Sequence, residues 1–297
     1  MYIKNPKWLK NILSNSEIAD TNYINEINIR LKQIVDNRDP EISIIIPARN
    51  EEQNILKCID SLSRNTSEYS LEIIVVDNNS TDNTKDIAKQ LDITVLDQSS
   101  TGIGISRQLG LEQAKGKYVL TADADCIYPS KYIGTMIDKL RDKKVICVTG
   151  RYCFIGNTTN KRWHFQFYEF IRDSLLMIRQ WKHPYLNAWG GCMGFMREPA
   201  LKIGYDYRDL RGEDGRLCFD LMSYGKIQFV SSINTKAWTY FPQDKSLFKE
   251  LINKLLLGAF NLFWFFKRRK AHDTKTSSNN PVTFIEAINS LGKPKHR

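Results

Sequence analysis

Between residues 41 and 122 the chain repeats one unit: a short apolar run, a polar cluster, then an amphipathic stretch. Residues 42–47, 73–77, 93–96 and 118–122 are runs of Ile, Val, Leu and other strand formers. Segments 52–64 and 103–114, and one starting near Asp82, carry apolar residues at helical spacing. Continuous apolar strands separated by such helices predict a parallel sheet covered on both faces. Open sheets of this kind bind ligands beyond the carboxyl ends of their strands. Three of the strands end in Pro47-Ala48-Arg49-Asn50-Glu51, Asp77-Asn78-Asn79-Ser80 and Asp123-Ala124-Asp125. The pattern therefore predicts that all three clusters meet at one rim.

The flanking sequence reads differently. Residues 1–39 form a helical N-terminal extension with Ile24, Ile27, Leu31 and Ile34 on one face, closed by Pro40. After a first half at 40–150, the alternation fades in a second half, 151–242, of the same domain. An aromatic-rich helix is expected over 163–181, with its aromatics shaping a pocket together with Trp189 and the Gly190-Gly191 turn. Pro199 opens a short helix that Gly204 ends, and Glu213-Asp214 stands at the start of another. Six cysteines show no metal-type spacing and sit among apolar residues, as free buried thiols do.

Charge separates the body from the tail. The net charge is +10, but residues 267–297 alone hold eight Lys/Arg against two Asp/Glu. The body is only mildly basic, without the basic stripe and interleaved aromatics of a nucleic-acid binder, so no nucleic-acid partner is expected. Residues 247–266 are apolar with a narrow polar strip and run into Lys267-Arg268-Arg269-Lys270. Such a segment, 247–270, suits a helix lying in lipid headgroups; core packing or a homodimer contact would bury the same residues. With no signal peptide visible and no apolar run of roughly 18 residues, the expected place is the cytoplasm, with peripheral contact to the inner face of the plasma membrane.

Asp123 and Asp125 raise the question of charge. Two carboxylates at a strand end repel unless something positive joins them, and a hard cation carrying phosphate oxygens is a fitting partner. Cys126 is a poor ligand for such a cation and is expected in the core. Gly102-Ile103-Gly104 begins like a dinucleotide fingerprint, but Arg107 stands where its third glycine belongs. Asp77 either accepts hydrogen bonds from a nucleotide base or turns the chain; Asn79 is assigned to the turn. Arg107 reads equally as a ligand of donor oxygens and as a surface charge on an amphipathic helix. Glu213 and Asp214 read as a base with its neighbour, or as acidic residues favouring a helix start.

In order, Ile44 through Glu52, Val76 through Asp82, Arg107 through Ala114, Asp123-Ala124-Asp125 and Gly212-Glu213-Asp214 resemble the inverting family 2 glycosyltransferases of the GT-A fold. The resemblance covers residues 42–238. It implies an α/β, Rossmann-like, mostly parallel central sheet with helices on both faces. It implies a nucleotide-diphosphate sugar donor, UDP-sugar favoured over GDP- or dTDP-sugar, held by Pro47, Ala48, Arg49, Glu51, Asp77, Arg107, Asp123, Ala124 and Asp125. It implies a divalent metal, Mg²⁺ or Mn²⁺, on Asp125 and Asp123, and a catalytic base at Asp214 with Glu213 orienting a glycan or lipid-linked acceptor. Two departures stand out. Lys236-Ala237-Trp238-Thr239-Tyr240 lacks the late histidine that some relatives place on the metal, and the Gln-x-x-Arg-Trp signature of processive synthases is missing. A single-addition enzyme of cell-surface glycan or glycolipid synthesis is expected, against a non-catalytic nucleotide-sugar scaffold or a sugar-1-phosphate nucleotidyltransferase. The latter would want a glycine-rich basic loop where Pro47-Ala48-Arg49-Asn50-Glu51 stands.

Overall fold

The computed structural model describes residues 4–16, 21–157, 160–205 and 212–241. Strands β1 (Ile42–Ala48), β2 (Leu71–Asp77), β3 (Thr94–Asp97) and β4 (Tyr118–Thr121) form where the apolar runs predicted them. Between them lie helices α3 (Ile55–Ser63), α4 (Thr84–Ala88) and α5 (Ile103–Gln113). All seven residues of β1, and all seven of β2, are buried, which is why both strands are apolar throughout rather than alternating. The seven-stranded sheet has the order β3-β2-β1-β4-β7-β5-β8. Here β5 is Val145–Thr149, β7 Met193–Met196 and β8 Lys226–Phe229.

Strand β7 comes from the second half yet lies between β4 and β5, antiparallel to both. All other pairings in this sheet are parallel. Gly194 allows the insertion, since a Cβ there would come within 2.5 Å of Leu120. A second, two-stranded sheet pairs β6 (Arg151–Phe154) with β9 (Lys236–Thr239).

Helices cover both faces. On one side Ile44, Ile46, Leu120 and Ile73 pack against α3, α6 (Tyr132–Leu140) and α2 (Thr21–Ile34). On the other, Ile45, Ile74 and Val76 meet α5, α8 (Arg197–Ile203) and α9 (Glu213–Leu221). Each fully buried Leu or Ile contributes about 1.5–3 kcal/mol. The N-terminal extension comprises two helices. In α2, Ile27 and Leu31 are fully buried as their spacing predicts, while Leu9 and Ile12 of α1 (Lys7–Ser16) pack on Ile127, Cys153 and Trp238.

The predicted aromatic helix is α7 (Arg162–Gln180). Phe165 and Tyr168 face inward, but Trp163, Phe167, Phe170 and Met177 line its solvent side, and Trp181 just beyond is 89% exposed. This stretch does line cavities, though few of its aromatics take part: Arg172, Leu175, Leu176 and Arg179 line one together with Trp189, and Phe170 and Met177 line another. Pro199 sits within the first turn of α8, and Gly204 ends that helix with φ +74°. All six cysteines are buried free thiols. Among the described residues no helix is long and apolar enough to cross a membrane. The apolar and basic segment 247–270 lies outside them.

Candidate active site

The parallel register aligns Ala48 with Asp77 and Asp77 with Asp97, so the strand ends form one rim. Two loops there brace each other. The Asn50 N–H donates to Ser80 Oγ (3.1 Å), and Asn50 Oδ1 accepts from the Thr81 N–H (2.9 Å). Asn50 can serve both bonds because it takes a left-handed φ of +55°, a conformation asparagine tolerates better than most residues. The Glu51 N–H donates to Thr84 Oγ1 (2.7 Å), and Glu52 accepts from the backbone and side chain of Asn83. Asn79, at φ +56°, makes the turn assigned to it. Pro47 and Ala48 are buried, whereas Arg49 is exposed at the rim.

Asp77 ends β2 only 5% exposed. One carboxylate oxygen accepts from the Ser80 N–H (3.3 Å), and the other is buried without a partner among the described residues. A buried unsatisfied acceptor is costly, and a ligand N–H at the rim would satisfy it.

Arg107 brings the other acidic residues together. Gly110 lets α5 lie flush on the sheet, since a Cβ there would come within 2.4 Å of Ile45 Cγ2. One turn earlier, on the same helix face, Arg107 is 2% exposed. Its Nη1 donates to Glu213 Oε1 (2.7 Å) and Asp214 Oδ1 (2.8 Å), and Nη2 donates to Asp123 Oδ1 (3.1 Å). The surface-charge reading of Arg107 is thereby overturned: the side chain is interior, and its planar fork holds the carboxylates of two halves in fixed relation. Gly190 and Gly191 make room for this. A Cβ on Gly190 would come within 1.9 Å of the Arg107 guanidinium, and one on Gly191 within 2.6 Å of Asp123 Oδ2.

One guanidinium does not balance the cluster. Burial pushes the Asp123 carboxyl up to about 6; Arg107 pulls against this, and Asp125 and Asp214 add to it. Burial also raises Asp214, opposed by Arg107 and by the Gly190 N–H, with Glu213 raising it further. Glu51 is raised by burial, against a hydrogen bond from Asn54 and with help from Asp125 and Asp82. Excess negative charge of this kind fits a cation. Ligand atoms of Asp123, Asp125 and Cys126 lie within 4.8 Å of one another. The two carboxylates form a hard oxygen pair that suits Mg²⁺ or Mn²⁺. Cys126 is fully buried and its thiol is pushed well above its ordinary value, so it packs rather than ligates.

Two further residues, absent from the sequence-derived set, fix this pair. Tyr128, buried beneath the rim, accepts from the Asp123 N–H (3.0 Å) and donates to the Gly191 carbonyl (2.7 Å). Thr239 of β9 donates its hydroxyl to Asp125 Oδ2 (3.1 Å). The late segment that lacks a histidine thus reaches the aspartate pair through a hydroxyl. No local signal marked either residue, since a Tyr five positions downstream and a lone Thr are ordinary core choices.

The mostly parallel sheet with helices on both faces and an acidic rim is the GT-A architecture of nucleotide-sugar transferases. The chain belongs to glycosyl transferase family 2, whose model matches residues 43–204. It is 28% identical over 196 residues to glycosyltransferase GlyA of Streptococcus pneumoniae, an alignment covering 60% of this chain and 27% of that one. In structure it is similar to S. aureus TarS in complex with UDP-GlcNAc, with TM-score 0.55, 16% identity and coverage of 74% and 65%. It is also similar to the mannosyltransferase PcManGT of Pyrobaculum calidifontis in complex with GDP-Man and Mn²⁺, with TM-score 0.53, 19% identity and coverage of 91% and 77%. The chain spans between about a quarter and under half of the first curated relatives it matches.

Proposed function

We propose that this protein transfers a sugar from a nucleoside-diphosphate sugar to an acceptor hydroxyl with inversion at the anomeric carbon. The observation that carries the reading is the convergence of Asp123 and Asp214 on one buried guanidinium. That contact sets the carboxylates suited to the donor beside one suited to proton removal.

Asp77 takes an N–H of the base edge on its unpartnered oxygen, while the braced 50–52 and 80–84 loops hold the nucleoside side in place. Arg49, exposed at the rim, flanks the donor, and the buried Pro47, Ala48 and Ala124 set the backbone beneath it. Asp125 and Asp123 would hold a divalent cation, which when bound screens the diphosphate and stabilises the leaving nucleoside diphosphate. Arg107 works chiefly through the carboxylates it binds, fixing their positions. Asp214 removes the acceptor proton as the hydroxyl attacks from the face opposite the leaving group. Its raised affinity for protons makes it a better base than a solvated aspartate, and Glu213 beside it orients the acceptor. UDP- and GDP-sugars are the first donors to assay, because TarS and PcManGT were solved with one of each.

The experiment compares wild type, Asp214→Asn and Asp125→Ala in transfer assays with UDP- and GDP-sugars and Mn²⁺, alongside nucleotide binding. Both variants should lose transfer, and Asp214→Asn should keep nucleotide affinity. Equal inactivity of all three proteins with intact nucleotide binding would point to a scaffold instead. The anomeric configuration of the product, read by NMR, tests inversion; retention would sink that part of the reading.

A further inference from the structure

A cavity of about 230 Å³ lies between β6, α7 and residues 186–189, the segment that leads into Gly190 of the carboxylate cluster. Its chemistry is opposite in sign to the rim's. Arg151, Arg172 and Arg179 all line it. Arg172 is 3% exposed and stacks on Tyr152, its Cζ 4.2 Å from the ring centroid. Its Nε and Nη2 are engaged by Asp173 and the Tyr152 carbonyl, but among the described residues Nη1 is buried without a partner. Arg151 pairs with Asp173 through Nη1, and its Nε is likewise unpartnered.

Arg179 extends the imbalance. Among the described residues it pairs with no carboxylate, and burial pulls it below its ordinary value with nothing offsetting that. Asp173 is therefore shared by two guanidiniums while a third has none. Glu169, the other acid of α7, is taken up by Arg162 (2.7 Å) and the Phe154 N–H (2.9 Å). Buried guanidinium N–H groups without acceptors are expensive to maintain. An oxyanion in the cavity would find the half-buried Arg179 guanidinium uncommitted to any carboxylate among the described residues, with Arg172 beside it, and the planar fork of arginine matches phosphate geometry. The place of the cavity matters as much as its charge. Trp189 forms part of its wall, and the next residue, Gly190, offers its N–H to Asp214.

The geometry points to an anion subsite on the acceptor side, in which Arg172 and Arg179 bind a phosphate group carried by the acceptor. This rests on the transferase reading only in calling the ligand an acceptor; the phosphate site itself is independent of it. The phosphate belongs either to a polyol-phosphate glycan or to a lipid headgroup.

The test uses glycerol 3-phosphate as probe and glycerol as its neutral counterpart, titrated calorimetrically into the full chain. Wild type should bind the phosphate and ignore glycerol. Arg179→Gln should weaken binding at least tenfold, and Lys143→Gln, at an exposed site, should leave it unchanged. Because Arg179 makes no ion pair among the described residues, its variant should unfold at the wild-type temperature, which separates a lost site from a lost fold. Displacement of glycerol 3-phosphate by phosphatidylglycerol vesicles would support the site with a lipid source; displacement only by a soluble polyol-phosphate oligomer would support it with a glycan source. No binding by wild type, or binding that Arg179→Gln leaves intact, overturns the inference. Phosphate binding in a protein that transfers no sugar would instead retain the subsite and discard the transferase reading.

Discussion

The carboxylate rim and the arginine-lined cavity carry opposite charge imbalances. At the strand rim the imbalance is one of charge: among the described residues one Asp77 oxygen lacks a donor and Arg107 Nε an acceptor, while the carboxylates of Asp123, Glu213 and Asp214 share that one guanidinium. In the cavity lined by Trp189, Arg151 and Arg172 leave donors unpartnered among the described residues, as Asn187 leaves its Oδ1, and three guanidiniums face one carboxylate, that of Asp173. A rim short of positive charge suits a base edge and a cation, whereas a cavity short of negative charge suits an anion. The rigidity differs in kind as well. The rim loops are braced by side-chain-to-backbone bonds between 50–52 and 80–84, while the arginine-lined cavity is held by guanidinium pairs and ring stacking.

Substitutions can break this contrast one side at a time. The largest effect is expected from Asp214→Asn, which should lower kcat by about 10²–10⁴-fold, the usual contribution of a positioned general base. Unchanged turnover would remove Asp214 from the chemistry. Next, Arg107→Met should cost about 3–5 kcal/mol of stability, because it leaves buried carboxylates without their cation. Urea unfolding measures this, and a loss below about 1 kcal/mol would show that the clamp is dispensable. Asp77→Ala should weaken nucleotide binding by roughly 10- to 100-fold, as expected for one charge-assisted hydrogen bond, with the acceptor KM as the contrasting readout. Asn50→Gly keeps the left-handed conformation and removes only the side-chain brace, so it should cost about 1 kcal/mol in the same unfolding assay.

The smallest effect is one of pH. The Asp123 carboxyl is raised from 3.8 in the unfolded chain to about 6 in the fold. The folded state therefore binds the extra proton between those values. Its contribution is fully present below about 4 and is lost as pH rises through about 6. In chelator, wild type should lose more stability than Asp123→Asn between pH 4.5 and 7.5. Parallel pH profiles for the two would contradict the assigned environment.

Much of the rim was legible in the sequence, because a strand and the polar residues at its end are one local signal. Ile42–Ala48 and Leu71–Asp77 are buried on every residue, so their apolar runs were unambiguous, and parallel pairing then forces Ala48, Asp77 and Asp97 together. The destination of Arg107 was not legible, since its partners lie 106 and 107 residues away at Glu213 and Asp214. Nothing local distinguishes a clamping arginine from a solvated one. Tyr128 and Thr239 were missed for the same reason: their hydroxyls act through distant contacts. The aromatic stretch of α7 was legible only in part: the helix does line two cavities, but composition alone does not say which of its residues face them. Trp181 is 89% exposed, while Trp189, just beyond the helix, lines the cavity.

The inserted strand has a consequence for how the molecule is made. Because Met193–Met196 sits between β4 and β5, the middle of the sheet stays open during synthesis until that segment has left the ribosome. Until then β4 presents an unpaired edge, the kind that recruits foreign strands. Pairings that span this much chain also close slowly. Nascent chains stalled before residue 193 should therefore depend on chaperone protection more than those stalled beyond residue 229, and arrested-ribosome proteolysis would show where that dependence ends.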